Sequence, residues 1–225
     1  DWSSDVCSSD LELLNPNTHL RIVAVDPGTS HLGLAVLDWE WGTDLATVVW
    51  AGTIHVRDES SPGTFSETCG NRDYRLARLA TEWADFLRVA APCFVATETP
   101  FMRRSKLSAY ESGVELQKML RQGLWDVCPG KFLHGFMPIL VKAHVGVVAK
   151  GTDKSHMFTA VTNMYGKSTI VDLSKLDEHA IDAIAVGTTF VRVTLLNLNN
   201  LLPPRPPKEF KTPRRGKRRK KKGGK

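Results

Sequence analysis

The feature that most constrains the fold is a change in the spacing of apolar residues about a third of the way along the chain. Before it, apolar and β-branched runs at 22–25, 32–37 and 46–56 are separated by turn residues such as Pro27 and Gly28. Such runs predict three strands in an antiparallel meander. After it, apolar residues recur at helical spacing and predict an amphipathic helix that ends before Pro92. These residues are Leu76, Leu79, Ala80, Trp83 and Leu87.

The remainder of the chain alternates between the two kinds of pattern. "CFVATE" predicts a fourth strand and "MPILVKA" a fifth. Three further helices are predicted. The first spans 107–124, the second runs from a cap at Thr152 to Asn163, and the third begins at a cap at Ser174. The order βββαβαβαα predicts an α/β domain with a mixed five-stranded sheet. Strands 1–3 are antiparallel, the later strands are parallel, and helices cover both faces.

The two ends of the chain differ in composition from its middle. Residues 203–225 hold 12 Lys or Arg and one Glu, a net charge of +11, although the whole chain carries only +6. This Pro-rich, basic segment predicts a disordered tail with salt-sensitive affinity for nucleic acid, or a solubilising tail. "DWSSDVCSSDL", at 1–11, resembles the translation of a sequencing-adapter oligonucleotide, or else is a disordered leader. Residues 12–202 are therefore expected to form one domain.

Several classes of protein are disfavoured by composition. The cysteines at 69, 93 and 128 are widely spaced and form no CxxC pair, which argues against a zinc site or a disulfide framework. We find no secretory signal and no run of about 18 apolar residues that would span a membrane. A cytoplasmic protein of a bacterial or phage-infected cell is expected.

Carboxylates stand where two apolar runs meet loops. Asp26 ends the first predicted strand and Glu98 ends the fourth, so they lie side by side if these strands are neighbours. In "LDEHAIDAIAVG", His179 and Asp182 are spaced i, i+3 and share a helix face. Such a cluster needs cations to neutralise it, and oxygen ligands suit Mg²⁺ or Mn²⁺. Two such ions ~4 Å apart can activate water for phosphodiester cleavage.

The motifs around these residues resemble the RuvC family of Holliday-junction resolvases, in the RNase H-like nuclease superfamily. "VDPGTSHLGLAVLD", "ATETPF" and "HAIDAIAVG" carry the resemblance, which spans about residues 21–193. It implies an RNase H-like fold, with Asp26, Glu98, His179 and Asp182 as catalytic metal ligands. It also implies Mg²⁺ as the cofactor, with Mn²⁺ as a substitute and two ions in each site. Glu178, four residues before Asp182, stays open as an alternative to His179.

The resemblance extends to residues that would contact DNA. Phe101 matches the aromatic residue that family members insert at the junction centre. Lys142 and Lys154 match lysines that contact DNA or the transition state, although an extra residue between them leaves Lys150 as a competitor. Arg103 and Arg104 are weaker candidates for phosphate contacts. The segment "SGVELQKMLRQG" resembles the family's dimer helix, which predicts a homodimer through the helix around Leu107–Leu124.

The implied function is a metal-dependent endonuclease that resolves four-way junctions by paired nicks, which require the two sites of a two-fold dimer. A phage-type member is expected, and the need for a branch-migration partner stays open. A related RNase H-like nuclease that acts on other branched DNA is the first alternative. The others are an actin-like or sugar-kinase-like ATPase, because of "VDPGTS", and a non-catalytic DNA-binding protein. Cleavage-site preference cannot be read from this sequence.

Overall fold

The structure is a computed structural model of the 225-residue chain. It describes residues 19–40, 43, 45–57, 70–101, 107–147, 154–166 and 169–196, without the side chain of Lys154. The predicted leader and basic tail, most of the loop at 57–70, and Arg103, Arg104 and Lys150 lie outside the described residues. Among the described residues, no helix is long and apolar enough to cross a membrane.

One five-stranded sheet organises the described residues, in the strand order β3-β2-β1-β4-β5. The strands are β1 (His19–Pro27), β2 (His31–Glu40), β3 (Thr47–His55), β4 (Phe94–Glu98) and β5 (Leu133–Phe136). The antiparallel pairs are β1 with β2 and β2 with β3, whereas β4 pairs parallel to both β1 and β5. The predicted mixed sheet, with its antiparallel meander and later parallel strands, is confirmed.

Helices cover both faces of this sheet, as predicted. They are α1 (Asn71–Ala90), α2 (Leu107–Val127), α3 (Pro138–His144), α4 (Lys154–Tyr165) and α5 (Glu178–Phe190), and α5 continues into a π-helical turn at Val191–Leu195. A short 3₁₀ turn at Leu173–Lys175 precedes α5. The helices predicted at 76–87 and 107–124 are confirmed within α1 and α2.

The two faces of β1 enter two separate cores, because successive side chains of a strand point to opposite sides. Val23 and Val25 pack in one core with side chains of α1 and α2, including Trp83 and Leu120. Leu20, Ile22 and Ala24 pack in the other core with α5. Trp83 donates its indole N–H to the carbonyl of Leu120 over 3.0 Å, which ties α1 to α2. Burial on both faces explains the unbroken apolar runs of the central strands.

Two sequence predictions are wrong. The fifth strand is Leu133–Phe136, and the apolar run "MPILVKA" instead forms α3 with Pro138 in its first turn. A short apolar run fits a strand or a buried helix, and proline is favoured in the first turn of a helix, where its missing N–H costs nothing. Ser174 does not cap α5, since it lies in the 3₁₀ turn and Asp177 is the N-cap residue.

Small residues let α5 lie directly on the sheet. A methyl group added at Gly187 would come within 2.4 Å of Leu37 Cδ1, and one added at Gly33 within 2.2 Å of the His179 carbonyl oxygen. Neither position has room for a larger residue without movement of the helix. The glycine of "HLGLAV" therefore fixes how near the start of α5 comes to β2, and this placement sets the position of His179.

Candidate active site at the carboxyl edge of the sheet

The register of β1 and β4 brings Asp26 and Glu98 together. Val25 pairs with Thr97 in the parallel ladder, so the next residue of each strand follows at the same edge. Alternation places Asp26 on the side of Ile22 and Ala24, which is the side covered by α5. Glu98 lies on that side too, two residues beyond Ala96 of the same core. The predicted juxtaposition of the two carboxylates is confirmed.

The N-terminus of α5 is fastened beside this edge by Asp177. The Asp177 carboxylate caps the helix by accepting the backbone N–H of Ala180 over 3.0 Å. The same carboxylate accepts the hydroxyl of Thr53 at 2.6 Å and lies 3.3 Å from Nε2 of His55, both on β3. Cap and strand contacts together hold the first turn of α5 against the sheet. This first turn carries His179, and Asp182 follows one turn later.

His179 meets Asp26 directly. Its Nδ1 lies 3.0 Å from Asp26 Oδ2, and both side chains are mostly buried, at 22% and 14% exposed. Its Nε2 faces the Glu178 carboxylate at a longer distance of 3.6 Å. The hydrogen bond with Asp26 is the largest influence on His179 and raises its pKa, because it stabilises the protonated ring.

Two carboxyls of the site have strongly raised pKa values. Burial, reinforced by the charges of Asp26 and Asp182, raises the pKa of Glu98 to about 7. Burial, followed by the charge of Asp26, likewise raises the pKa of Asp182 to about 7. The positive charge of Lys142 lowers the pKa of both carboxyls, but Lys142 is exposed and both pKa values stay raised. Among the described residues, positive charge therefore does not offset the effects of burial and of the neighbouring carboxylates on these pKa values.

Sequence reasoning missed His31. Its ring stacks on that of His179, with centroids 3.6 Å apart and planes inclined by 29°. Burial, followed by the nearby His179, lowers the pKa of His31. His31 is the first residue of β2, and Asp26 pairs with Gly33 two residues further on, so the hairpin places this ring at the site edge. The sequence "DPGTSH" could have indicated His31, because a short hairpin brings the polar residues at the start of its second strand beside the end of its first strand.

The other predicted site residues are the candidates for DNA contacts, and the structure describes only some of their side chains. Phe101 follows β4 and is 62% exposed, so it is a surface aromatic rather than a core residue. Lys142 lies near the end of α3, close enough to act on the carboxyls of Glu98 and Asp182. Lys154 begins α4, but its side chain is outside the described set, as are Arg103, Arg104 and Lys150. Their DNA-binding roles stay predictions.

The donor chemistry of the site fits a hard divalent cation. Three carboxylates and an imidazole converge from two strands and a helix, and oxygen ligands of this kind suit Mg²⁺ or Mn²⁺. In the arrangement seen, however, no group of three or more His, Cys, Asp or Glu side chains within the described ranges is already set to hold an ion. Asp26 and His179 instead bond to each other. Binding an ion requires side-chain rotation away from this pairing.

Comparison with known proteins identifies the fold. No protein-family model matches the chain, and no curated protein matches it. The solved structures give a different result. The chain superposes on Thermus thermophilus RuvC with a TM-score of 0.58 and 21% identity, over 79% of this chain and 97% of that one. For T. thermophilus RuvC in complex with a Holliday junction substrate the TM-score is 0.55 and the identity 19%, over 78% and 97% of the two chains.

A yeast mitochondrial Holliday junction resolvase shares the architecture at greater divergence. The TM-score is 0.54 and the identity 10%, over 79% of this chain and 80% of that one. At such identities the likeness establishes a common fold. The class is thus the RNase H-like α/β fold. The structures with this fold described above, to which the chain is similar, are RuvC and a yeast mitochondrial Holliday junction resolvase.

Proposed function

We propose that the protein is a metal-dependent, structure-selective endonuclease that resolves four-way DNA junctions by hydrolytic nicking. One observation carries the proposal: Asp26, Glu98 and Asp182 meet at one sheet edge with His179 bonded to Asp26. Two of the carboxyls have pKa values raised to about 7, first by burial and then by the charges of neighbouring carboxylates. A fold shared with proteins described as junction resolvases supports four-way junctions as the substrate.

The proposed cofactor is Mg²⁺, with Mn²⁺ as a substitute and two ions in each site. Asp26, Glu98 and Asp182 would hold the ions, with His179 or Glu178 as the further ligand. When bound, the ions supply positive charge for the phosphodiester and acidify a coordinated water. Buried carboxyls with raised pKa values also predict that ion binding releases protons, because the ligands must be ionised.

The remaining residues of the site would help to bind the ion or would contact the DNA. Once side-chain rotation separates His179 from Asp26, a ring nitrogen of His179 would be available to bind an ion or to accept a proton from water. The exposed ammonium group of Lys142 would contact a phosphate oxygen near the carboxylates, where its charge already acts. Phe101 would stack on an unpaired base at the junction, and its exposure leaves the ring face available.

A two-fold dimer is proposed because paired nicks across a junction need two active sites. The exposed face of α2 supports this part of the proposal. Leu107 and Trp125 are 56% and 59% exposed, and their separation of 18 residues equals five helical turns. They therefore lie on one face, away from the buried Leu116 and Leu120. Exposed apolar side chains thus stand at the two ends of this face, with the exposed charged residues Glu111, Lys118 and Arg121 between them, and such a mixed surface would suit contact with a second copy of the chain.

The test is a substrate panel with the full-length protein. Four-way junctions, forks, flaps and linear duplex, each end-labelled, are incubated with Mg²⁺, Mn²⁺ or EDTA, and nicks are mapped on denaturing gels. We expect paired nicks in the four-way junction with either metal and none with EDTA. Equal cutting of forks and flaps would point to a general branched-DNA nuclease. No cutting of any substrate with either metal would contradict the proposal.

A further inference from the structure

One buried polar side chain of α2 is bonded to the strand end that carries Glu98. Gln117 is only 5% exposed and stands on α2 beside Leu116 and Leu120, in the core that α1 and α2 form with the sheet. Its Nε2 donates to the backbone carbonyl of Glu98 over 2.8 Å. The residues that would bind the ions or the DNA do not include Gln117. Its contact nevertheless reaches the backbone of a proposed metal ligand.

A buried amide does more at this position than fill space. Glutamine is found mostly at protein surfaces, because removing its amide from water costs free energy. In a core position the amide is hydrogen-bonded, and the bond then restricts the distance and direction of its partner. Here the partner is the peptide of Glu98. The bond from Gln117 therefore specifies where the end of β4 lies, in addition to the apolar packing of α2.

A glycine one helical turn earlier brings α2 against the same segment of the chain. Gly113 and Gln117 are spaced i, i+4, so they share a helix face. A methyl group added at Gly113 would lie 3.0 Å from Cβ of Pro100 and 3.2 Å from its Cγ. Pro100 is the second residue after Glu98. One face of α2 thus meets the end of β4 twice, through a hydrogen bond at Glu98 and through close packing at Pro100.

The contact from α2 falls where pairing with the central strand ends. The parallel ladder between β1 and β4 finishes at Val25 and Thr97, one residue before Glu98. On the other side, pairing with β5 continues to Glu98, which lies opposite Phe136. Strand pairing therefore holds Glu98 from the side of β5, and Gln117 adds a contact from α2. The carboxylate of Glu98 is carried by this short terminal stretch of backbone.

We propose that Gln117 is a positioning residue for Glu98, which holds the end of β4 so that the Glu98 carboxylate stays in the cluster with Asp26 and Asp182. The inference rests on the proposed nuclease function and adds α2 to the elements that build its metal site. Gln117 acts through the backbone of Glu98 and binds neither ion nor DNA. Loss of its bond frees the strand end to shift, and Mg²⁺ is sensitive to such shifts because it demands near-ideal octahedral geometry.

Replacement of Gln117 by methionine tests this role, because methionine has a similar length and volume but cannot donate a hydrogen bond. We expect Gln117→Met to weaken Mn²⁺ binding about tenfold, as for other residues that orient a ligand without binding the metal. Calorimetric titration of the full-length protein measures the affinity. In single-turnover nicking of a four-way junction, the Mg²⁺ concentration for half-maximal rate should rise by a similar factor, with a rate near that of wild type at saturating Mg²⁺. A side chain that only stabilises the fold would change urea unfolding and leave both metal measurements unchanged.

Two further variants of α2 accompany this substitution. The exposed Gln122 donates to Asp126 over 2.8 Å on the same helix, so Gln122→Met removes the same kind of bond away from β4 and should bind Mn²⁺ as wild type does. Gly113→Ala tests the packing contact. Alanine is a better helix former than glycine, so the helix itself is not weakened. The added methyl group would press on Pro100 and should weaken Mn²⁺ binding by a smaller factor than Gln117→Met.

The outcomes separate the positioning role from the nuclease function. Unchanged Mn²⁺ affinity and normal nicking in Gln117→Met would overturn the positioning role while leaving the nuclease function standing. An equal loss of affinity in Gln122→Met would also overturn it, because general damage to α2 would then be the cause. Should Gln117→Met not fold, unchanged affinity in Gly113→Ala overturns the role in its place. A wild type that binds Mn²⁺ but nicks no junction would contradict the nuclease function, and the affinities of the variants would still decide the positioning role. A wild type that binds no Mn²⁺ would overturn both.

Discussion

The imidazole of His179 is bounded on three sides. Asp26 bonds its Nδ1, Glu178 faces its Nε2, and the ring of His31 covers one face. Partners that orient a ligand without binding the metal commonly affect metal affinity or activity 10- to 100-fold. His31 is therefore expected to act as a positioning residue for His179, through ring contact rather than through its charge.

Substitution of His31 tests this positioning role. We expect His31→Ala to lower Mn²⁺ affinity and junction nicking by about tenfold. His31→Phe should restore most of the loss, because a phenyl ring keeps the stack. Calorimetric Mn²⁺ titration and single-turnover nicking are the measurements, and His19→Ala, at the opposite end of β1, is the matched control. If the Phe variant is as impaired as the Ala variant, ring stacking is not the cause.

The raised carboxyl pKa values predict how stability depends on pH. Without metal, the folded protein holds protons on Glu98 and Asp182 up to about pH 7, whereas the unfolded chain releases them near pH 4. Stability is therefore lost as pH rises through this window, and the raised pKa of His179 acts in the same direction. The free energy of unfolding should fall by on the order of 5 kcal/mol between pH 5 and 8, because each of the two carboxyls loses about 2 pKa units of stabilisation in that range and each unit is worth about 1.4 kcal/mol.

Urea denaturation in EDTA measures this pH dependence. Glu98→Gln should flatten it and raise stability at pH 8, whereas Glu40→Gln, at the exposed end of β2, should leave it unchanged. Added Mn²⁺ should stabilise the wild type most at pH 8, since it binds ionised ligands of the folded state. Stability that rises steadily from pH 5 to 8 in the wild type would show that these carboxyls are not destabilised in the folded protein.

At the scale of elements, α5 is the part on which the site depends, and Asp177 fixes its start. This residue caps the helix and also bonds Thr53 and His55 of β3. Asp177→Ala should lower the free energy of unfolding by about 1–2 kcal/mol, as for loss of an N-cap. It should also slow nicking, because His179 is displaced with the first turn.

A second capping aspartate provides the control for this prediction. Asp172 accepts the backbone N–H of Ser174 in the same manner, but it caps only the three-residue 3₁₀ turn. Asp172→Ala should therefore leave nicking unchanged. Urea unfolding and nicking rates of the two variants are compared. Equal activity of Asp177→Ala and wild type would contradict the role of the cap in placing His179.

The sequence predicted the elements of the site better than the elements beside it. Asp26 and Glu98 were identifiable because each carboxylate ends an apolar run, and His179 and Asp182 because helical spacing puts them on one face. The fifth strand was not identifiable, since Leu133–Phe136 has only four residues and includes a glycine, while the stronger apolar run belongs to α3. Ser174 and Asp177 are both good caps, and only tertiary contacts with Thr53 and His55 distinguish them.

Across the whole molecule, charge is divided between a slightly acidic stretch, residues 1–202, and a basic C-terminal segment. Residues 203–225 have a net charge of +11, and the rest of the chain has −5. A basic segment in the same chain as a carboxylate site would raise affinity for DNA in a way that falls with salt. The carboxylates of the candidate site lie among the described residues, outside this segment. Binding and cleavage are therefore expected to be separable, which makes a substitution within the site the most direct test.

The measurement that tests the central claim is nicking and binding of a four-way junction by wild type and Asp26→Asn. Asparagine keeps the size of the side chain but removes a charge from the cluster that would hold the metal. The account predicts that Mg²⁺-dependent nicking is abolished while junction affinity is retained, and that Asp73→Asn, on the exposed first turn of α1, behaves as wild type. Undiminished nicking by Asp26→Asn would contradict it.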